Sequence, residues 1–212
     1  MTSKNTAEVV QLPSATVSRR VETVRKVKSA VEVRLRLLMT SLSANVADAL
    51  FEEMRHLDES AAMEIHFDIM RSLRTEQDVL WTHFASQLNR SWLALVNRRD
   101  KQPVPDAPHD IAVILRGYSD RNLSHYKILL EELRLRFSSL SGRSVSFHPL
   151  LPGNFYVCFW HATEALDLTY AERKLLLPLF NRFVMDRFGQ MAAIANQTLA
   201  EARVPAVFEQ GP

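Results

Sequence analysis

The sequence contains only five glycines and one cysteine among 212 residues. Phosphate-binding loops and tight β-hairpins need glycine, because they require positive φ angles or a close approach to the backbone. Both kinds of structure are therefore disfavoured, and no P-loop, Gly-x-Ser-x-Gly or Gly-x-Gly-x-x-Gly motif occurs. The single cysteine excludes an internal disulfide and is typical of a reducing compartment.

Long apolar segments are also missing from the sequence. No apolar run approaches the roughly 20 residues that span a bilayer. The first twenty residues lack the apolar centre of a signal peptide. These observations predict a cytoplasmic protein without a transmembrane segment.

What the sequence does contain favours an all-α fold. Leucine, alanine, arginine, glutamate and methionine are plentiful, and all five favour helix. Apolar residues recur at steps of three and four from Val17 to Val46, which predicts an amphipathic helix from about Ser18, its N-cap, to about Leu57. A second apolar stripe, from Ala62 to Leu95, predicts a helix that begins near Asp58 and ends near Arg99.

The remaining segments complete a prediction of about five main helices, with a long N-terminal hairpin and a compact C-terminal bundle. The apolar run 111–115 is interpreted as a packed connector. A helix capped by Asp120 or Asn122 should follow and stop at Gly142. Another should run from Thr169 to about Arg203, with a kink at Pro178. The predicted organisation is a flexible tail (1–17), the helical hairpin (18–99), a proline-rich loop (100–110), the C-terminal helical part (111–205) and a second tail (206–212).

Aromatic residues are absent before position 51 but concentrated in the segment 147–166. In its helical part, 153–166, apolar residues point almost all round the helix, which is typical of a helix buried between others. A central core helix is the first interpretation. The second is that one aromatic face contacts a partner or another copy of the chain, through Phe155, Tyr156, Phe159 and Trp160.

Charge is segregated at the N-terminal end. Residues 17–47 carry seven basic groups against two acidic ones, whereas residues 48–68 carry seven acidic groups against one basic group. The basic set is either a solvated helix face or an anion-binding stripe. It comprises Arg19, Arg20, Arg25, Lys26, Lys28, Arg34 and Arg36.

Metal and nucleophilic sites have weak support. Glu53 and His56 form one half of a di-iron motif, but the sequence holds no second Glu-x-x-His. Cys158 and His161 lie one turn apart, with Glu164 a turn further, and too few ligands follow for a closed zinc site. We expect Cys158 to be a buried apolar side chain with a raised pKa. No catalytic residue, metal ligand or cofactor site is assigned.

Five segments carry a resemblance to a known family: "ADALFEEM" (47–54), "FDIMRSLR" (67–74) and the stretches 148–168, 174–191 and 195–206. Together they resemble the N-terminal helical part of the bacterial family known as domain of unknown function 1631, over roughly residues 40–205. His148 and Asn181 stand where that family has Asn and Asp. The matching positions are Pro149, Leu150, Pro152, Cys158, Phe159, Leu179, Phe180, Arg182, Val184, Phe188, Gly189, Asn196 and Leu199.

The resemblance implies a place in bacterial regulation but assigns no activity. Many members of that family end in a PilZ domain, a cyclic-di-GMP receptor, and this chain lacks the Arg-x-x-x-Arg and Asp-x-Ser-x-x-Gly motifs of such a domain. We therefore expect a non-enzymatic interaction or adaptor module, linked to cyclic-di-GMP through a protein partner. The alternative is a regulator that contacts nucleic acid through helix 19–36, and the third hypothesis is an enzyme of unrecognised type.

Overall fold

The predicted all-α fold is confirmed. A computed structural model describes the backbone of residues 15–54, 60–98 and 107–207, and the side chains of 17–52, 66–98 and 107–207. Within those ranges the chain forms helices and no β-strand, and no helix there is long and apolar enough to cross a membrane. The α-helices are α1 (Ala15–Met54), α2 (Ser60–Thr75), α3 (Gln77–Val96), α4 (His109–His125), α5 (Lys127–Ser141), α6 (Pro152–Ala162), α7 (Tyr170–Phe183) and α8 (Phe188–Glu201).

The predicted apolar stripe of the first helix is the buried face of α1. Its side chains from Val24 to Val46 are almost inaccessible to solvent, whereas Val17 and Val21 are 37% and 40% exposed. The helix begins at Ala15, so Ser18 lies inside it and the N-cap prediction was wrong. The predicted end at Leu57 lies outside the described residues. The buried members are Val24, Val27, Val31, Leu35, Leu38, Leu42 and Val46.

The second predicted helix is two helices. The apolar stripe of both is buried, but α2 stops at Thr75 and α3 starts at Gln77. Glu76 between them has φ −114° and ψ 16°, and its carboxylate accepts a hydrogen bond from Ser72 Oγ at 3.1 Å. A backbone N–H at Asp167 donates to the same carboxylate at 3.4 Å. The break is thus stabilised by a contact 91 residues away, which apolar periodicity does not encode. The predicted cap Asp58 lies outside the described residues.

Two predictions for residues 109–142 need correction. The apolar run 111–115 is part of α4, where Ile111 and Leu115 are buried, and is not a separate connector. Asp120 and Asn122 lie inside that helix and cap nothing; α5 instead begins after Tyr126. The stop at Gly142 is confirmed, since that residue has φ 65°. Most of the predicted loop 100–110 lies outside the described residues, although His109 and Asp110 begin α4.

The C-terminal helix is also divided. The predicted capping box is present, because the Thr169 hydroxyl accepts from the backbone N–H of Glu172 while the Glu172 carboxylate accepts from that of Thr169. Helix α7 continues through Pro178 and ends at Phe183. A 3₁₀ turn, Met185–Arg187, then leads into α8, so the interruption lies beyond the proline.

A single cluster of buried side chains joins helices from both sides of the segment 99–106. Helix α1 packs against α2, α3, α7 and α8, and α6 packs against α3 and α4. The long N-terminal helix therefore covers the C-terminal helices as well as its hairpin neighbours. Among the described side chains of α1 and α2, Thr40, Ala44 and Ala47 are exposed on α1, and Phe67, Arg71 and Arg74 are exposed on α2.

Gly189 illustrates how tightly this core is packed. A Cβ added there would lie 2.8 Å from Cε1 of Tyr126. The Tyr126 ring is held by Phe188, at a centroid distance of 5.4 Å, and by its hydroxyl, which donates to the carbonyl oxygen of Asp186 at 3.1 Å. We expect Gly189→Ala to lower the free energy of unfolding by about 1–3 kcal/mol, measured by urea denaturation.

The matched control is Gly117→Ala in α4. A Cβ there meets nothing within 4 Å, so the higher helix propensity of alanine should raise stability by roughly 0.5–1 kcal/mol. Equal effects of the two substitutions would show that contact with Tyr126 does not determine the choice of glycine at 189.

Candidate protein-interaction site

The aromatic helix α6 lies in the core. Phe155, Tyr156, Phe159 and Trp160 are each at most 2% exposed. The Phe159 ring stacks on that of Phe180 with centroids 4.0 Å apart. The core interpretation is therefore confirmed. The alternative, a partner surface made of these four side chains, is contradicted by their burial, because other helices already cover every face.

The polar side chains that accompany α6 are satisfied within the protein. Asn154 is 1% exposed, and its amide donates to the carbonyl oxygen of Pro149 at 2.8 Å and accepts from Ser91 Oγ at 2.9 Å. Tyr156 accepts from Asn122 Nδ2 at 2.9 Å. Buried amides with such complete bonding fix the position of a helix and leave no atoms for a substrate.

Cys158 shows the inert environment expected of it. Its side chain is 3% exposed, and burial raises the pKa of the thiol to about 12. The thiolate is therefore not populated near neutral pH, which removes the nucleophile and metal ligand. His148 is likewise buried, and its ring centroid lies 5.3 Å from that of Phe137. Burial, together with the nearby charge of Arg134, lowers the pKa of His148 to about 3.

The candidate metal ligands do not come together where they can be described. Nδ1 of His161 lies 3.5 Å from Oε1 of Glu164, at the end of α6. Arg173 also contacts that carboxylate, at 3.2 Å. Among the described residues no group of three His, Cys, Asp or Glu side chains could hold a metal ion. Glu53 and His56 lie outside the described side chains.

The seven residues of the basic stripe do not form one surface. Arg34 reaches the Gln190 side chain on α8, whereas Arg36 pairs with Asp78 at 3.7 Å and lies over the Trp81 ring of α3. Arg19 and Arg20 donate to the carbonyl oxygens of Ala202 and Val96 at 3.3 Å. These arginines extend from different sides of α1 toward different helices.

Of the other three basic residues, two pair within α1 and one also reaches α3. Arg25 and Lys26 both pair with Glu22, at 2.9 and 4.0 Å. Lys28 donates to Asn89 Oδ1 at 2.7 Å and lies 3.7 Å from Glu32. The basic groups are therefore used largely in joining α1 to its neighbours, and the geometry gives little support to a continuous anion-binding stripe.

A solvent-accessible groove lies between exposed residues of α1 and α2. We call it the α1–α2 groove. It has a volume of about 460 Å³. Its residues are Thr40, Ser43, Ala44, Val46 and Ala47 on α1, and Phe67, Met70, Arg71, Arg74 and Thr75 on α2, with Gln77 at the start of α3.

The groove combines exposed apolar surface with positive charge. Phe67 is 63% exposed, the highest value among the Phe, Tyr and Trp side chains that the structure describes. Arg71 pairs with Asp68 at 3.1 Å, and Arg74 makes no ion pair or hydrogen bond with any residue that the structure describes. None of the lining residues that the structure describes carries a carboxylate.

Sequence reasoning missed this groove, although one signal was available. Phe67 lies off the apolar stripe that contains Ile69 and Leu73, and both of those are fully buried. A large aromatic residue on the polar face of an amphipathic helix indicates a surface contact. The α1 wall gave no such signal, because alanine, serine and threonine are ordinary on a solvated face.

Comparison with known proteins identifies the family and nothing finer. The family model described as the N-terminal domain of a protein of unknown function (DUF1631) matches residues 19–203. No curated protein matches the chain, and no solved structure matches it. Since the matched region covers most of the 212 residues, the chain belongs to the DUF1631 family, within its N-terminal domain.

Proposed function

We propose that this chain is a non-enzymatic helical interaction module of bacterial regulation, and that it receives a protein partner in the α1–α2 groove. The observation that carries the proposal is the groove itself, with Phe67 63% exposed beside two arginines. Contiguous exposed apolar surface rimmed by polar groups is typical of a protein contact. The buried amides and the inert Cys158 support a scaffold role more than a catalytic one.

The nucleic-acid alternative has less support. Counterion release requires basic groups that are available to several phosphates at once. In this chain Arg25, Lys26 and Lys28 already contact carboxylates of α1 itself, and Arg36 contacts Asp78. The link to cyclic-di-GMP rests on the family resemblance alone, and we place it in a partner that this module contacts.

The proposal can be tested by site-specific cross-linking in an extract of the source cell. Cys158 is 3% exposed with a raised pKa, so a single introduced surface cysteine can be labelled selectively with a photoactivatable maleimide. Ala47→Cys places the label in the groove, and Ser124→Cys places it on exposed α4 as the matched control. We expect a discrete cross-linked protein from position 47 alone.

Two outcomes would contradict the proposal. If the label at 47 captured no protein, the groove would have no partner in that extract. If both positions captured the same proteins in the same yield, the capture would be non-specific. Circular dichroism of the labelled proteins should match that of the unlabelled chain, since Ala47 and Ser124 are exposed.

A further inference from the structure

We infer that the occupant of the α1–α2 groove is an acidic amphipathic α-helix of a partner protein. This inference rests on the proposed function and specifies the chemistry of the partner. It is carried by the spacing, the size and the charge of the residues that form the two walls.

Each wall has the spacing of a helix-packing surface. Apart from Val46 and Thr75, the wall residues are Thr40, Ser43, Ala44 and Ala47 on α1, and Phe67, Met70, Arg71 and Arg74 on α2. Both sets fall at positions i, i+3, i+4 and i+7, so each forms one continuous ridge along its helix. Two helices that present such ridges beside a shared groove leave the place of a third helix open.

The two walls differ in size in a way that suits a helix. The α1 wall carries only small side chains, so the backbone of an incoming helix can approach closely. The α2 wall offers Phe67 and Met70, whose apolar surface can pack against leucine or isoleucine side chains. At 1.5 Å per residue each ridge is roughly 10 Å long, which corresponds to about two turns of an occupant.

The charge of the groove determines which charge the partner helix should carry. Arg71 and Arg74 lie one turn apart on the α2 wall. Arg71 pairs with Asp68 at 3.1 Å, whereas Arg74 pairs with no carboxylate that the structure describes, and none of the described lining residues is acidic. Arg36 lies one helical turn before Thr40, the first groove residue of α1, and is already paired with Asp78. Electrostatic complementarity therefore selects an occupant with glutamate or aspartate along the edge that meets α2.

The test uses two fluorescein-labelled amphipathic peptides with the same leucine face. One carries glutamate at the flanking positions and the other carries lysine at the same positions. In fluorescence anisotropy with the full chain, the glutamate peptide should bind on the order of tenfold more tightly. The double variant Arg71→Glu with Arg74→Glu should reverse the preference.

The matched control is Arg116→Glu with Arg121→Glu. This variant makes the same change of charge on exposed residues of α4, outside the groove. It should keep the preference for the glutamate peptide, which separates a local contact from the net charge of the chain. Circular dichroism confirms that each variant is folded.

Several outcomes would overturn the inference. These are equal binding of the two peptides, binding of neither, or a preference that Arg71→Glu with Arg74→Glu leaves unchanged. Self-association of the chain that this double variant abolishes would identify a second copy as the occupant instead. A cross-link from position 47 without peptide binding would leave the proposed function standing and remove only the acidic helix.

Discussion

Replacing Trp160 by alanine is expected to lower the free energy of unfolding by about 3–5 kcal/mol. The indole is 2% exposed, and the guanidinium carbon of Arg173 lies 4.3 Å from its ring centroid. The Tyr170 ring packs edge-to-face with the indole, with ring centroids 5.9 Å apart. Truncation leaves a cavity lined by these groups and removes the cation–π contact, so transfer, cavity and electrostatic losses add.

Trp81→Ala is the matched control for this prediction. Trp81 also lies beside an arginine, Arg36 at 5.8 Å, but it is only partly buried. Its loss should therefore cost clearly less in the same urea titration. If Trp160→Ala proved nearly neutral, or cost no more than Trp81→Ala, α6 would not be the central core helix described above.

The helices that the sequence predicts well are those whose burial follows a regular period. Apolar residues of α1 from Val24 to Val46 recur at helical spacing and are buried as expected. The capping box at Thr169 and the positive φ at Gly142 depend on residues within a few positions, so local chemistry predicts both. These features require no knowledge of the rest of the fold.

The breaks between helices depend on distant contacts, and periodicity therefore misses them. Glu76 sits between α2 and α3 with no proline or glycine to mark it, and the backbone of Asp167 contributes a hydrogen bond. Tyr126 separates α4 from α5 while its hydroxyl bonds to the carbonyl of Asp186. Such partners lie 60 or more residues away and become neighbours only in the folded chain.

The dependence on distant contacts also explains why the candidate site could not be predicted from the sequence. Charge counting singled out residues 19–36 as a stripe, but it could not foresee that Arg34 and Arg36 contact different helices. The α1–α2 groove requires two helices to be placed side by side. Only one of its residues, Phe67, stands out in the sequence, because it is aromatic on an otherwise polar face.

Replacing Asn154 by aspartate is expected to destabilise the protein in a pH-dependent way. The substitution is nearly isosteric, but it removes the N–H donor that satisfies the carbonyl oxygen of Pro149 at 2.8 Å. At neutral pH it also places a carboxylate at a position that is 1% exposed. Breaking such a buried pairing and leaving a charge there costs on the order of 3–5 kcal/mol.

The sign of the pH dependence follows from burial. Desolvation favours the neutral acid, so the pKa of the introduced carboxyl in the folded state should lie above its unfolded value of about 3.9. Between these two pKa values the folded state binds more protons than the unfolded state, so stability falls as pH rises. Well below the unfolded pKa of about 3.9 the acid is protonated in both states, and its O–H can replace the lost donor to Pro149.

Asn154→Ala provides the control, because it removes the same donor without adding a titratable group. Urea denaturation of the wild type and both variants from pH 4 to pH 8 should show a gap between Asn154→Asp and wild type that widens with pH. The gap between Asn154→Ala and wild type should stay constant. A constant gap for Asn154→Asp would mean that water reaches residue 154 and that α6 is less enclosed than its burial indicates.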